Sequence, residues 1–202
     1  MKASPAKIRF LTLPQIKEQL RVLEEYSQLQ TMVAVLIFAG LRREELLWLT
    51  LDDIDPESGA FGLIPVQAKT VDSESWQPKT KRNRAVPISS ILRFYLDRYV
   101  PKLTPGRWFF PSPQGKGYDP DNFSRDLRNT NRRARLQWTC LDFRHTFGSH
   151  LAMKGESLYK ISALMGNSPE ICRRHYAALI PEALVDSVEF GVLSNQRKLY
   201  GT

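Results

Sequence analysis

Cysteine is scarce in this chain: Cys140 and Cys172 are its only two, and they lie far apart. That is too sparse for the cross-linked frame of a small secreted domain, and it lacks the CxxC spacing of a zinc or redox site. Long apolar runs are missing as well. The longest, Met32 to Ala39, is under half of the roughly 20 residues that cross a bilayer, and the opening residues do not read as a secretory leader. These absences predict a soluble, cytoplasmic protein with no membrane partner (nucleoid-associated in a prokaryote). Gly115-Lys116-Gly117 lacks the strand–loop–helix context of a phosphate loop, and neither GxSxG nor HExxH occurs. Asp52, Asp53 and Asp55 read as the turn out of a helix rather than as a magnesium site. No metal or other cofactor is expected, and no internal repeat or low-complexity tract breaks the chain.

Positive charge is in excess. The 202 residues carry 29 Lys and Arg against 21 Asp and Glu, a net charge of +8, which favours a polyanionic partner without saying anything of fold. With 42% hydrophobic residues, the chain is long enough to fill one complete core.

The pattern predicts a mainly α domain with a small antiparallel β-sheet, an α+β architecture. Residues 1–11 read as a flexible basic arm, 12–190 as the domain and 191–202 as a loose tail. Thr12 can cap a first helix that opens through Pro14, with Ile16, Leu20 and Leu23 at helical spacing. A second helix from about Thr31 is apolar on nearly every face and should be central. Gly40 ends it, and Leu41 to Leu49 forms a third, with Leu46, Leu47 and Leu49 inward. Phe61 to Val66 and Arg84 to Ile88 read as strands, with the polar stretch Gln67 to Asn83 as the loop of their hairpin. Further helices are predicted at Ser89–Val100, Asp121–Arg135, Asp142–Met153, Ser157–Met165 and Pro169–Ala178, and a last one opens at Pro181. Ser168-Pro169-Glu170 is a strong helix start, combining a cap, a first-turn proline and an acid at the positive end of the dipole. Trp108, Phe109 and Phe110 read as packing residues rather than base-stacking ones.

The chemistry-bearing residues fall in three places. Arg42 follows a glycine at a helix start, PKTKRNRAVPI spans Pro78 to Ile88, and Arg144 begins a stretch that ends at Tyr176. Breaking a phosphodiester with a side-chain oxygen requires a nucleophile, fixed positive donors for the non-bridging oxygens, and an acid for the leaving oxygen. A phenol can serve as that nucleophile where cations favour its ionised form, and Arg173, Arg174 and His175 immediately precede Tyr176. Arginine suits the donor role because its planar fork holds two phosphate oxygens and keeps its charge.

In that order and context, the chain resembles the catalytic domain of the tyrosine recombinases, or phage integrases, over about Thr12 to Ser187. The motifs are Gly40-Leu41-Arg42 with Glu45; Lys79-Thr80 ahead of Arg84-Ala85-Val86-Pro87; Leu141-Asp142-Phe143-Arg144-His145-Thr146-Phe147; and Met165-Gly166-Asn167 followed by Tyr176. The resemblance implies that Tyr176 attacks a DNA phosphate to form a 3′-phosphotyrosyl link and release a 5′-hydroxyl. Arg42 and Arg144 would hold the non-bridging oxygens, and Lys79 would protonate the leaving oxygen, with Lys81 as the second candidate. Asn167 would contact phosphate by donating a hydrogen bond, and Glu45 would position Arg42 or the active-site network. His145 itself reads as bracing its helix, as buried histidines commonly do. No base is assigned among His145, His150 and His175. Two positions depart from the family pattern: Leu141 stands where a histidine is usual, and Asn167 where a second histidine or a tryptophan is usual. A leucine can neither take nor give a proton. The alternatives are therefore a DNA-binding relative with reduced or lost cleavage and, outside the family, a basic helical scaffold. By the same resemblance, the partner is double-stranded DNA, with self-assembly on DNA through the C-terminal helix. An N-terminal clamping domain of the family kind is not expected in this chain.

Overall fold

The computed structural model describes residues 8–54, 62–99 and 107–181. Its centre is the helix that the sequence makes apolar all round, α2 (Ser27–Ala39), in which Met32 to Ile37 and Ala39 are all buried. It begins four residues before the predicted start, because its first turn is the polar Ser27-Gln28-Leu29-Gln30 and carries no hydrophobic period. α1 (Leu13–Val22) opens as expected: Gln15 Oε1 accepts the Thr12 N–H at 2.9 Å, and Pro14 lies in the first turn. The chain just before it is not loose. Leu11 is fully buried, its N–H donates to Thr146 Oγ1 at 2.9 Å, and its carbonyl meets His150 Nε2 at 2.8 Å. Packing against α6 (Cys140–Met153) thus orders the last residues of the predicted arm.

α2 stops at Gly40, whose φ of +61° is left-handed, and a Cβ there would run into the Phe147 ring. α3 (Arg43–Leu47) follows, shorter than predicted, with Leu46, Leu47 and Leu49 buried. A 3-10 turn (Leu51–Asp53) comes next, in which Asp53 accepts from Thr50 N–H at 2.7 Å and pairs with Lys69. Asp52 and Asp53 therefore belong to a turn, and among the described residues no acidic or histidine cluster could hold a metal.

β1 (Leu63–Val66) pairs antiparallel with β4 (Arg84–Pro87), Val66 opposite Arg84. The stretch between them, predicted as a loop, contains a second two-stranded sheet, β2 (Lys69–Val71) with β3 (Glu74–Trp76). Its tight turn puts Asp72 and Ser73 at φ of +51° and +71°. These three-residue strands bury only Val71 and carry no apolar alternation to read.

α4 (Ser90–Arg98) lies against α2, capped by Ser89 Oγ. Trp108, Phe109 and Phe110 are all buried, as packing residues should be. α5 (Pro120–Arg133) is capped by Asp119, α6 by Thr139, α7 (Leu158–Met165) by Ser157 and α8 (Pro169–Tyr176) by Ser168. Beyond Pro181 the predicted last helix and tail lie outside the described residues, as do Asp55 and Phe61. Among the described residues, no helix is long and apolar enough to cross a membrane.

Candidate active site

The site forms where α2 ends, α6 crosses it and the α7–α8 turn closes over both. Arg42 occupies the N-cap of α3, and Glu45, three residues on, folds back to accept the Arg42 N–H at 2.8 Å. The same carboxylate accepts Arg42 Nη1 at 2.8 Å. On its other side Arg84, from β4, holds it with both prongs of its fork, at 3.0 and 2.5 Å. Burial by itself would raise the Glu45 pKa, but the hydrogen bonds and charges of Arg84 and Arg42 outweigh it and hold the carboxyl below its usual range. Glu45 stays ionised because guanidinium groups surround it.

Arg84 was not among the expected site residues, although it opens the Arg-x-Val-Pro motif. It also donates to Leu164 O at 2.9 Å, which ties β4 to α7. A Cβ at Gly166, which ends α7 at φ +62°, would sit 2.8 Å from Arg84 Nη1, so the glycine leaves room for the guanidinium. The signal was present in the sequence as an arginine in a strand that points inward on the Val66 side, but its partner Glu45 is remote in the chain.

Arg144, on α6, is almost wholly buried. It donates to the carbonyls of Gly40 and Met165, capping the ends of α2 and α7 together. Burial and the nearby Arg42 charge push its pKa down to about 10, so it remains charged at neutral pH. Asn167 joins the two predicted clamping residues, because its Oδ1 accepts Arg42 Nη2 at 2.8 Å and Arg144 Nη2 at 3.1 Å. Only the amide oxygen can accept two guanidinium donors, which fixes the side-chain orientation. The expected donor is therefore acting here as an acceptor.

Tyr176 closes α8 and is 1% exposed. Its ring lies against the face of α6 at Gly148, where a Cβ would come within 2.5 Å of the Tyr176 ring carbon Cζ. Cations were expected to favour the ionised phenol. Instead burial dominates and raises its pKa, with the Arg144 charge only opposing it, because Arg173 and Arg174 point into solvent. The hydroxyl is 3.0 Å from His145 Nδ1. His145 was expected to brace α6; it contacts the phenol instead. His175 also belongs to this corner, its ring centre 5.3 Å from that of His145.

Lys79 is exposed on the turn after β3, where the Lys81 N–H donates to Pro78 O at 2.8 Å. One cleft of about 1710 Å³ is lined by Lys79, Arg42, Arg144, His145, Asn167 and Tyr176 together; Lys81 is not on its wall, but Leu141 is. Around Glu45, the guanidinium charges of Arg42, Arg84 and Arg144 face one carboxylate, an excess of two positive charges.

The phage integrase family model matches residues 9–182. Among curated proteins, the chain is 26% identical over 170 residues to the tyrosine recombinase XerD of Rhizobium meliloti (strain 1021), covering 80% of this chain and 50% of that protein. It is 27% identical over 174 residues to the tyrosine recombinase XerC of Rickettsia bellii (strain OSU 85-389), covering 81% of this chain and 55% of that one. The chain thus spans about half the length of these relatives. Among solved structures, a Tn1549 transposon integrase in complex with a circular intermediate DNA superposes with a TM-score of 0.74 at 18% identity, over 87% of this chain and 63% of that one. The catalytic domain of bacteriophage HP1 integrase superposes with a TM-score of 0.64 at 23% identity, over 94% and 98%. With the family model matching most of its length and the fold shared with recombinase and integrase structures, the chain belongs to the phage integrase family.

Proposed function

We propose that this chain cuts and rejoins double-stranded DNA through a transient 3′-phosphotyrosyl link at Tyr176. The observation that carries this reading is convergence. Arg42 and Arg144 share one acceptor oxygen, on Asn167, in the same cleft that Tyr176 and Lys79 line. A phosphate oxygen placed where Asn167 Oδ1 now sits meets two preorganised forks. The surplus of two positive charges suits a transition state in which the phosphoryl group carries an additional negative charge. The cleft exceeds the roughly 300–1,000 Å³ of small-molecule pockets. Its wall continues through Arg43, Arg128, Arg132 and Arg135, which suits a polyanion longer than one nucleotide.

In the reaction, the Tyr176 oxygen bonds to phosphorus while the bond from phosphorus to the 5′-oxygen breaks, and Lys79 supplies that oxygen's proton. A 5′-hydroxyl then reverses the step, so the bond energy is conserved and no nucleotide is consumed. Assembly on DNA through the segment beyond Pro181 is part of the same proposal and rests on the family resemblance.

The test is a pool of nicked duplexes randomised around the nick, from which a cut strand diffuses away and traps the enzyme. We expect a protein–DNA adduct stable to detergent with the wild type and none with Tyr176→Phe. Arg144→Ala should slow adduct formation by roughly 100- to 1,000-fold. A Tyr176→Phe protein that still becomes linked to DNA would overturn the reading.

A further inference from the structure

The proposed reaction leaves one proton without a destination. Burial keeps the Tyr176 phenol protonated, and Leu141, where a histidine is usual, has no atom to receive the proton. Resting on that reading, we propose that His145 is the proton acceptor for Tyr176, working from the next turn of the helix that carries Leu141.

Geometry makes the argument. Residues four apart lie on one face of an α-helix, so His145 sits directly above Leu141 on α6. Both line the cleft, and Leu141 is 62% exposed there. From one turn further along, the imidazole Nδ1 reaches the phenol oxygen at 3.0 Å, within the range that proton transfer requires. Nδ1 can accept only in the neutral ring that carries its hydrogen on Nε2. The surroundings favour the neutral ring. Burial lowers the His145 pKa first, and His175 and Arg144 lower it further, against a smaller opposing effect of Asp142. Those are the charged or titratable groups that face it: Asp142 and Arg144 from α6, and His175 and Tyr176 from α8.

Of the other candidates, His150 holds the Leu11 carbonyl, Glu45 is enclosed by arginines and Asp142 caps the start of its own helix. His175 lies beside Tyr176 with its ring centre 6.0 Å from the phenol ring, and it is the His145 nitrogen that meets the hydroxyl. Protons and bonds then balance. As the Tyr176 oxygen bonds to phosphorus, its hydrogen passes to His145 Nδ1; as the 5′-oxygen leaves, it takes a hydrogen from Lys79. In rejoining, both transfers run backwards.

The experiment measures the rate of adduct formation with the nicked-duplex pool against pH, for wild type, His145→Gln, and His145→Gln combined with Leu141→His. We expect the wild-type rate to level off above neutrality. His145→Gln should be slower by roughly 100-fold or more at neutral pH, with its residual rate rising with hydroxide up to about pH 9. Adding Leu141→His should return most of the loss. A His145→Gln enzyme within about threefold of wild type, with the same pH profile, would overturn the proposal. So would a slow variant whose profile keeps the wild-type shape and which Leu141→His does not rescue, since that marks a merely structural role. If His145→Gln does not fold by circular dichroism, the wild-type profile decides alone: a plateau supports the proposal, and a rate proportional to hydroxide throughout overturns it. No adduct from wild-type protein at any pH would instead sink the recombinase reading on which the proposal rests.

Discussion

Arg42 and Arg144 of the arginine clamp line the same cleft as the lysine turn, but clamp and turn are built in opposite ways. Arg42, Arg84 and Arg144 are held by a buried carboxylate, by backbone carbonyls at the ends of two helices and by one shared amide oxygen. Lys79 stands in solvent on a turn that contains a residue at positive φ, Lys81 at +53°. The difference fits the two tasks proposed for them. Stabilising charge on a phosphate demands donors whose positions are set before the substrate arrives, so that nothing has to reorganise at the moment of reaction. Delivering a proton demands reach and a short visit, which a long side chain on an exposed turn can make. The clamp should therefore couple stability to activity, whereas the turn should not.

Removing the carboxylate is the harshest way to break that contrast. Glu45→Ala leaves buried guanidinium groups facing one another, and we expect a loss of about 3–5 kcal/mol in chemical denaturation. Its titration carries a sign. Because the folded carboxyl titrates below the value of 4.5 that it has when unperturbed, its contribution is full above that pH and is lost as pH falls through the folded value. Stability measured downwards from pH 6 should therefore fall less steeply in Glu45→Gln than in the wild type.

A second substitution probes the packing between clamp and nucleophile. Gly148→Ala places a methyl 2.5 Å from Tyr176 Cζ and 2.8 Å from Met165 Sδ, and should lower stability by about 1–3 kcal/mol in thermal unfolding. If the strain is relieved by expelling the ring, tyrosine accessibility in the free protein will rise. Lys79→Ala should have the smallest effect on stability, within about 0.5 kcal/mol, while slowing cleavage roughly 100-fold or more. A duplex with sulfur in place of the bridging 5′-oxygen should be cleaved equally well by this variant and the wild type, because a thiolate leaves without a proton. An unstable Lys79→Ala protein would erase the distinction between turn and clamp.

Much of this was legible in local sequence. Helix starts at Thr12, Ser89, Ser157 and Ser168 are marked by residues whose own side chains or near neighbours satisfy the first backbone donors, so a few consecutive letters suffice. α2 was legible as central because apolar residues on every face leave it nowhere else to go. The hairpin of β2 and β3 was not. Its strands are polar and three residues long, and their pairing depends on a turn whose positive φ values fall on Asp72 and Ser73 rather than on glycine. The role of Arg84 was hidden for a different reason: its carboxylate partner lies 39 residues away.

The motifs alone pointed to the candidate reacting groups, because phosphate chemistry restricts which side chains can serve and the chain keeps them in a recognisable order. Only the folded molecule decided their present roles. It turned Asn167 into the oxygen on which two arginines meet, took the phenol out of water and laid it against Gly148, and brought His145 to its hydroxyl. Those outcomes depend on burial and on contacts between residues far apart in the chain. Neither the identity of a residue nor its spacing carries that information.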